Sequence, residues 1–111
     1  ISAWGDSGYG GSGAPTGSGF TASYSTYGAF AALKEDGSIS AWGDSGYGGS
    51  GAPTGSGFTT IYSTAVAFAA LKADGSISAW GDSERGGSGA PTGSGFTTIY
   101  STAVAFAALK A

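Results

Sequence analysis

Residues 68–81 read Phe-Ala-Ala-Leu-Lys-Ala-Asp-Gly-Ser-Ile-Ser-Ala-Trp-Gly, two short apolar runs on either side of Asp74-Gly75. An Asp-Gly pair between such runs is a strong signal for a β-hairpin. A two-residue loop of this composition favours a type I′ turn, in which both loop residues take positive φ. The stretch therefore predicts an antiparallel hairpin as the unit from which the fold is built, and the same hairpin is predicted around Asp36-Gly37.

A two-residue loop also sets the register of the hairpin, placing Lys72 opposite Ile77 and Ala69 opposite Trp80. Side chains of a strand alternate between its two faces, and here both faces are largely apolar. A sheet of this kind has to be covered on both sides, which copies of itself could do. One face is predicted to carry Phe68, Ala70, Ile77 and Ala79, and the other Ala69, Leu71 and Trp80.

The hairpin recurs because the chain is a tandem repeat. Copies begin at Ile1, Ile39 and Ile77, a spacing of 38 residues each time. Such a period is typical of solenoids, propellers and repeat arrays. We expect one domain made of repeat 1 (residues 1–38), repeat 2 (residues 39–76) and an incomplete repeat 3 (residues 77–111).

Each copy holds a further strand and a long loop. The segment Phe58-Thr-Thr-Ile-Tyr-Ser-Thr64 is rich in β-branched and aromatic residues, which predicts a strand. The glycine-rich residues 43–57 predict a surface loop, with Pro53 at a turn or sheet edge. A helical alternative remains open at this stage, because Ala65–Ala73 is alanine-rich and Gly75 could end a helix. That alternative would make the chain a β/α solenoid.

Composition excludes several classes of protein. The 111 residues include four Lys and Arg and carry a net charge of −3, so a basic face for nucleic acid is not expected. The absence of cysteine excludes disulfides and thiolate metal sites. No apolar run approaches the roughly 18 residues of a membrane span. Glycine is abundant, yet the 41% hydrophobic residues recur at fixed places, which argues against disorder. An extracellular or cell-surface location is expected.

The sequence also argues against catalysis. Histidine is absent, so no Ser-His-Asp arrangement can form. Carboxylates are few and scattered, which does not suit glycoside chemistry. Three lysines flank the hairpin turns and are expected to face solvent, namely Lys34, Lys72 and Lys110. We therefore expect neither enzymatic activity nor a cofactor.

Loop tips are the first candidate binding positions. Tyr9 and Tyr47 occupy equivalent places, and repeat 3 has Glu84-Arg85 where repeat 2 has Gly46-Tyr47. Repeats 2 and 3 differ nowhere else over the residues they share. Because loops carry function while scaffolds carry packing, Tyr9, Tyr47, Glu84 and Arg85 are candidate ligand contacts.

Two further sets recur in every copy. Trp4, Trp42 and Trp80 could form a ring of sugar-stacking aromatics, but packing between sheets is the favoured interpretation because both hairpin faces are apolar. An aspartate precedes each glycine-rich loop and could ligate calcium. Binding of its own backbone in a turn is the favoured role. These aspartates are Asp6, Asp44 and Asp82.

The string Phe68–Gly81, followed by Asp-Ser-x-x-Gly-Gly and then Ala-Pro, resembles the regulator-of-chromosome-condensation repeat superfamily. It is most similar to the short bacterial blades of propeller-type β-lactamase inhibitory proteins. The resemblance implies an all-β fold of β-propeller blades, but no single function, because such propellers act as exchange factors, inhibitors and scaffolds. Ser63-Thr-Ala-Val-Ala67 replaces the family's Gly-Gly-x-His-type segment. The loops also lack the inhibitors' aromatic and acidic set, so β-lactamase inhibition is not expected.

Three blades are fewer than the four to eight or so of a typical propeller. The chain starts with the second half of a hairpin and stops after the first half, so one chain's tail could pair with the next chain's head. Such a contact closes into a ring or grows into a fibre. We expect a homo-oligomer, with a six-bladed dimer favoured over a nine-bladed trimer, unless neighbouring copies of a longer array fill the gap. The expected closure residues are Ile1, Ala3, Trp4, Phe106, Ala108 and Leu109.

Two functions are compatible with these features. The first is a non-catalytic structural or interaction scaffold, either an oligomeric propeller or part of a large repetitive bacterial surface protein. The second is a carbohydrate- or protein-binding module of lectin or adhesin type that uses the inter-blade loops.

Overall fold

The computed structural model describes residues 1–110 and is an all-β structure of three small antiparallel sheets. The first and second sheets have three strands each, and the third has two. Helical structure in the described residues is limited to two short 3-10 turns, Ser7–Tyr9 and Ser45–Tyr47. Sheet 1 contains β1 (Phe20–Ser25), β2 (Ala29–Lys34) and β3 (Ile39–Gly43); sheet 2 contains β4 (Phe58–Ser63), β5 (Ala67–Lys72) and β6 (Ile77–Gly81); sheet 3 contains β7 (Phe96–Ser101) and β8 (Phe106–Lys110).

The predicted hairpin is confirmed, and the helical alternative for Ala65–Ala73 is wrong. That stretch holds β5, which lies between β4 and β6 in its sheet. A helix there would have one face toward a core, whereas β5 buries side chains on both faces. The predicted strand after Phe58 is β4. Residues 1–110 contain no helix with the length and apolar character needed to cross a membrane.

The turn type predicted for Asp74-Gly75 is wrong. Lys72 N donates to Ser76 O, and Gly75 N donates to Lys72 O, both at 2.9 Å. Gly75 has a φ of +86°, and no non-glycine residue described has a positive φ. The loop therefore has three residues and ends in a left-handed glycine, the pattern of a type I turn with a bulge. The Asp74 carboxylate accepts from Ser76 N at 2.9 Å and from Ser76 Oγ at 2.7 Å, which holds this loop shape.

The longer loop shifts the register by one residue from the prediction. Leu71 pairs with Ile77, and Phe68 pairs with Trp80. Because paired residues share a face, Phe68 and Trp80 lie on the same side of sheet 2. The corrected faces are Phe68, Ala70, Ser78 and Trp80 on one side, and Ala69, Leu71, Ile77 and Ala79 on the other.

The sheets stack face to face, and sheet 2 is covered on both sides. Its Phe68 face packs on sheet 1, where Ala31 and Leu33 are buried. Its Ala69 face packs on sheet 3, where Ile99 is buried. The prediction that both faces of the hairpin are buried by copies of the same sheet is thus confirmed for sheet 2.

The outer face of sheet 3 is uncovered. Val104 and Leu109 are 52% and 55% exposed, whereas Val66 and Leu71, one repeat earlier, are 8% and 7% exposed. The same sequence is therefore core in sheet 2 and surface in sheet 3. Burial of the exposed Val104 and Leu109 side chains would be favourable, so the outer face of sheet 3 is suited to contact with a further sheet.

Candidate interface at the open edge of the third sheet

A repeated contact joins the last strand of each three-stranded sheet to the loop before that sheet. The Trp80 indole Nε1 donates to Gly48 O at 3.1 Å, and the indole stacks on the Phe68 ring with centroids 5.3 Å apart. In sheet 1, the Trp42 indole makes the equivalent bond to the Gly10 carbonyl, also at 3.1 Å. Both bonds span 32 residues and are buried, so they fix how each loop lies on its sheet.

The loop position that accepts this bond requires glycine. Gly48 has a φ of +101°, a backbone conformation that other residues rarely adopt. A Cβ placed there would lie 2.5 Å from Cδ2 of Phe68. The absence of a side chain thus lets the loop lie against the phenyl ring and present its carbonyl to the indole.

Over residues 1–110, sheet 3 has the same loop and two strands. Gly86 has a φ of +108°, and a Cβ there would lie 2.6 Å from Cδ2 of Phe106. Gly86 and Phe106 are therefore arranged as Gly48 and Phe68 are. Within residues 1–110, β8 pairs with β7 alone, and both stacked tryptophan–phenylalanine pairs belong to the other sheets.

A cleft of about 90 Å³ lies beside β8, between sheets 2 and 3. We call this space, lined by Ile77, Ala79, Gly86, Ala90 and Phe106, the β8 cleft. One repeat earlier, the Trp80 side chain lies in a core cluster with Phe68, Ile39, Ala41 and Ala52. Every one of those four neighbours has its counterpart, 38 positions later, in the wall of the β8 cleft.

The expected closure residues are not brought together within one chain. Ile1, Ala3 and Trp4 line a cavity of about 270 Å³ against Phe30 and Trp42 of sheet 1. Trp4 is 85% exposed there, whereas Trp42 and Trp80 are 7% and 3% exposed. Phe106, Ala108 and Leu109 belong to sheet 3, and sheet 2 lies between the two groups. Trp42 and Trp80 pack in the core, as the interpretation favoured for the three tryptophans predicts, whereas Trp4 does not.

Three loop-tip candidates, Tyr47, Glu84 and Arg85, lie in loops that connect successive sheets, whereas Tyr9 lies in the loop before sheet 1. Tyr47 is half-buried against sheet 1, where a Cβ on Gly28 would lie 2.6 Å from the tyrosine ring. Thr26 Oγ1 donates to Tyr47 O at 2.7 Å. Tyr9, the equivalent residue of repeat 1, is 55% exposed.

The next junction carries the other loop sequence. Thr64 Oγ1 donates to Arg85 O at 3.3 Å, and the position of Gly28 is taken by buried Val66. Arg85 Nη1 forms an exposed ion pair with Asp82 Oδ2 at 3.3 Å, and Glu84 is exposed. The junction between sheets 1 and 2 thus contains Gly28 and Tyr47, and the junction between sheets 2 and 3 contains Val66 and Arg85. The sequence alone shows that the loops differ at Tyr47 and Arg85. It also shows that Val66 stands in repeat 2 where repeat 1 has Gly28, but that these two differences occur at the same junctions becomes visible only in the structure.

The aspartates of the loops bind backbone. Asp6, Asp44 and Asp82 each accept, at Oδ1, a bond of 2.9 Å from the backbone N–H two residues later. This is the turn role favoured from the sequence. Over residues 1–110, no three His, Cys, Asp or Glu side chains come together as a metal site.

Charges at the hairpin turns have specific partners. The Lys72 ammonium lies 5.2 Å from the centre of the Phe58 ring, a cation–π contact that repeats in the other sheets. The prediction that these lysines face solvent agrees with exposed Lys110, whereas Lys34 and Lys72 are half-buried. Hydrogen bonds from Ser76 N and Oγ lower the pKa of the Asp74 carboxyl, and those from Ser38 lower the pKa of Asp36.

Neither a protein-family model nor a curated protein matches this sequence. The resemblance to regulator-of-chromosome-condensation repeats therefore stays a prediction. The function proposed for the chain therefore rests on the geometry of its own sheets and loops.

Proposed function

We propose that this chain is a non-catalytic structural scaffold that assembles with further copies of itself into a closed β-propeller. The observation that carries the proposal is the contrast between sheet 2, covered on both apolar faces, and sheets 1 and 3, each covered by another sheet on one face. The exposed apolar face of sheet 3, with Val104 and Leu109, favours association. The stacking already present inside the chain supplies the geometry of that association.

The outer faces of sheets 1 and 3 are different and complementary. The face of sheet 3 exposes Leu109, whereas the face of sheet 1 buries Trp42 beneath the N-terminal segment and is not covered by another sheet. The outer face of sheet 3 repeats the face of sheet 2 that sheet 3 covers, since Leu109 corresponds to Leu71. The outer face of sheet 1, with Phe30 and Trp42, repeats the face of sheet 2 that packs on sheet 1. One chain's sheet 3 can therefore pack on the next chain's sheet 1 as the internal sheets pack. A head-to-tail contact of this type closes into a ring or extends as a fibre.

Dimensions and sheet number favour two chains. Two chains would supply six sheets, within the usual range of about four to eight blades, whereas three chains would supply nine. The chain measures 40 × 30 × 18 Å. Two chains placed side by side along the shortest of these dimensions would form an assembly with nearly equal sides, as a compact closed ring requires. The sheets have three strands at most, one fewer than typical propeller blades.

Native mass spectrometry across a range of protein concentrations tests the proposal. We expect a discrete species of two chains, each of 10.6 kDa. A monomer that persists at high concentration would overturn the proposal, and so would an open-ended series of masses. A three-chain species would keep the ring and replace the six-bladed form by the nine-bladed one.

A second candidate function rests on exposed aromatic rings. Tyr9 and Tyr27 are 55% and 80% exposed, and aromatic rings with an apolar body and a polar tip are suited to contacts with sugars or proteins. A glycan array probed with the wild-type chain and with a Tyr9→Ala/Tyr27→Ala variant tests this function. Binding that the double variant loses would support it, and absence of binding by the wild type would oppose it.

A further inference from the structure

We propose that residues Ile1–Gly5 of a second copy add to β8 as the third strand of sheet 3, with the Trp4 side chain in the β8 cleft. This inference rests on the proposed self-assembly and specifies its contact. It specifies that Ile1–Gly5 pairs with the edge of β8 in one register. An experiment can therefore contradict this contact and still agree with a closed ring formed in another way.

The identity of the segment is the first argument. Ile1–Gly5 has the same sequence as β3 and β6, and both of those strands pair with the central strand of their sheets. In its own chain the segment is not a strand. The open edge of β8 is the position that β3 and β6 fill in the other two sheets.

The register follows from the pairs in sheet 2. Phe68 pairs with Trp80 there, and Ala69 pairs with Ala79. The equivalent pairs in sheet 3 join Trp4 to Phe106, Ala3 to Ala107 and Ile1 to Leu109. Phe106 and Ala108 already face sheet 2, so the Trp4 side chain would share their side of the sheet.

The hydrogen-bonding requirement of the indole is the second argument. An indole N–H is a donor only, and buried tryptophans usually have a partner. Trp42 and Trp80 both satisfy this need with a glycine carbonyl at 3.1 Å. Gly86 has the same left-handed backbone against Phe106, so its carbonyl is the acceptor available to Trp4.

The closing junction differs from the internal ones at one place. In a closed ring, Val104 would meet Tyr9 of the second copy, a combination found at neither internal junction. Gly28 is the residue that accommodates Tyr47, so a valine opposite Tyr9 requires the tyrosine ring to turn aside. Tyr9 is 55% exposed in the single chain, so its ring can turn aside, but the contact with Val104 makes the closing junction more crowded than the internal ones.

Disulfide trapping tests the register directly, because the chain has no native cysteine. In an antiparallel ladder, hydrogen-bonded and non-hydrogen-bonded pairs alternate. Counting from the bonded Lys72–Ser76 pair makes Ala69–Ala79 a non-bonded pair, the closer kind, and Ala3–Ala107 its equivalent. An Ala3→Cys chain labelled with ¹⁵N is mixed with an unlabelled Ala107→Cys chain under mild oxidation, and disulfide-linked peptides are measured by mass spectrometry.

Two matched controls bracket the result. An Ala69→Cys/Ala79→Cys chain places the same pair inside a closed sheet and sets the maximal yield. Ser2→Cys mixed with Ala107→Cys places one thiol on the opposite face of the added strand. We expect mixed-isotope disulfides for Ala3 with Ala107 at about half the yield of the internal pair, because random mixing brings the two chains together in half of the dimers, and at least tenfold less with Ser2.

The outcomes separate this inference from the proposed function. Equal trapping by Ala3 and Ser2, or none by either, would overturn the inference even if native mass spectrometry finds two chains. In that case the ring would stand with a different contact. A wild-type chain that is monomeric at all concentrations would remove the proposed function, and this inference with it.

Discussion

The Trp80 indole and the Gly48 carbonyl, 32 residues apart, are joined by a buried hydrogen bond of 3.1 Å. The bond ties the last strand of sheet 2 to the loop that leads into the sheet. Because the same bond recurs in sheet 1, it acts as a structural element of the repeat. Its energetic weight can be measured at Trp80, because both partners of this bond belong to the same chain.

Trp80→Phe is expected to destabilise the chain by about 1–3 kcal/mol, because the Gly48 carbonyl would lose its buried partner. Urea unfolding followed by circular dichroism measures the change. Tyr27→Phe is the matched control, since Tyr27 is 80% exposed and lies outside the proposed contact between Ile1–Gly5 and β8, and it should leave the stability of the chain unchanged. Equal losses in the two variants would show that the bond to Gly48 carries no particular weight.

Gly48→Ala is expected to destabilise the chain by about 3 kcal/mol. Positive φ costs a non-glycine residue about 1–3 kcal/mol, and the new Cβ would press on the Phe68 ring. Gly55→Ala is the control, because Gly55 also has positive φ but nothing lies within 4 Å of its Cβ position. Thermal unfolding of both variants separates backbone strain from the steric contact. A loss at Gly55 as large as that at Gly48 would contradict the contact with Phe68.

Much of this fold could be predicted from the sequence because its signals are local. The unbroken apolar run from Phe68 to Leu71 indicates a strand with two apolar faces, and the 38-residue period indicates stacked copies. The turn at Asp74 could not be settled from an Asp-Gly pair, since that pair suits both a two-residue and a three-residue loop. The serine after the pair favours the longer loop by bonding the carboxylate.

The site was less predictable because its partners are distant in sequence. Gly48 belongs to a glycine-rich loop in which no feature of composition singles out one carbonyl as the acceptor for Trp80. The matching of Gly28 with Tyr47 depends on how two successive sheets meet. Such contacts become visible when the loops are placed on the sheets.

Acid is expected to weaken the hairpin turns. The serine hydrogen bonds lower the folded-state pKa of Asp36 and Asp74 below the ordinary value of 3.8. A depressed pKa contributes stability that is present above the unfolded value and is lost as the pH falls through the folded value. NMR titration of the two carboxyl groups measures the effect, with Ser76→Ala as the variant that should move the pKa of Asp74 back toward 3.8. Ser76→Ala keeps the bond from the backbone N–H, the larger cause, so an unchanged pKa would contradict only the part assigned to the Ser76 hydroxyl.

The closing junction offers a gain-of-function prediction. Gly8→Glu/Tyr9→Arg reproduces, opposite Val104, the combination that Arg85 and Val66 form inside the chain. Overpacking commonly costs about 1–3 kcal/mol, so relieving it should tighten association about tenfold, the equivalent of ~1.4 kcal/mol. Analytical ultracentrifugation of the wild-type and variant chains measures the dissociation constant.

Val104→Gly should tighten association by a second route, because it reproduces the pairing of Gly28 with Tyr47. The matched control is Val66→Gly, which removes a buried side chain at the internal junction and should lower the stability of the chain without tightening association. The two routes relieve the same contact, so their effects should not add when they are combined. Additive gains would show that Val104 and Tyr9 do not meet, and would place the closing contact elsewhere on the two sheets.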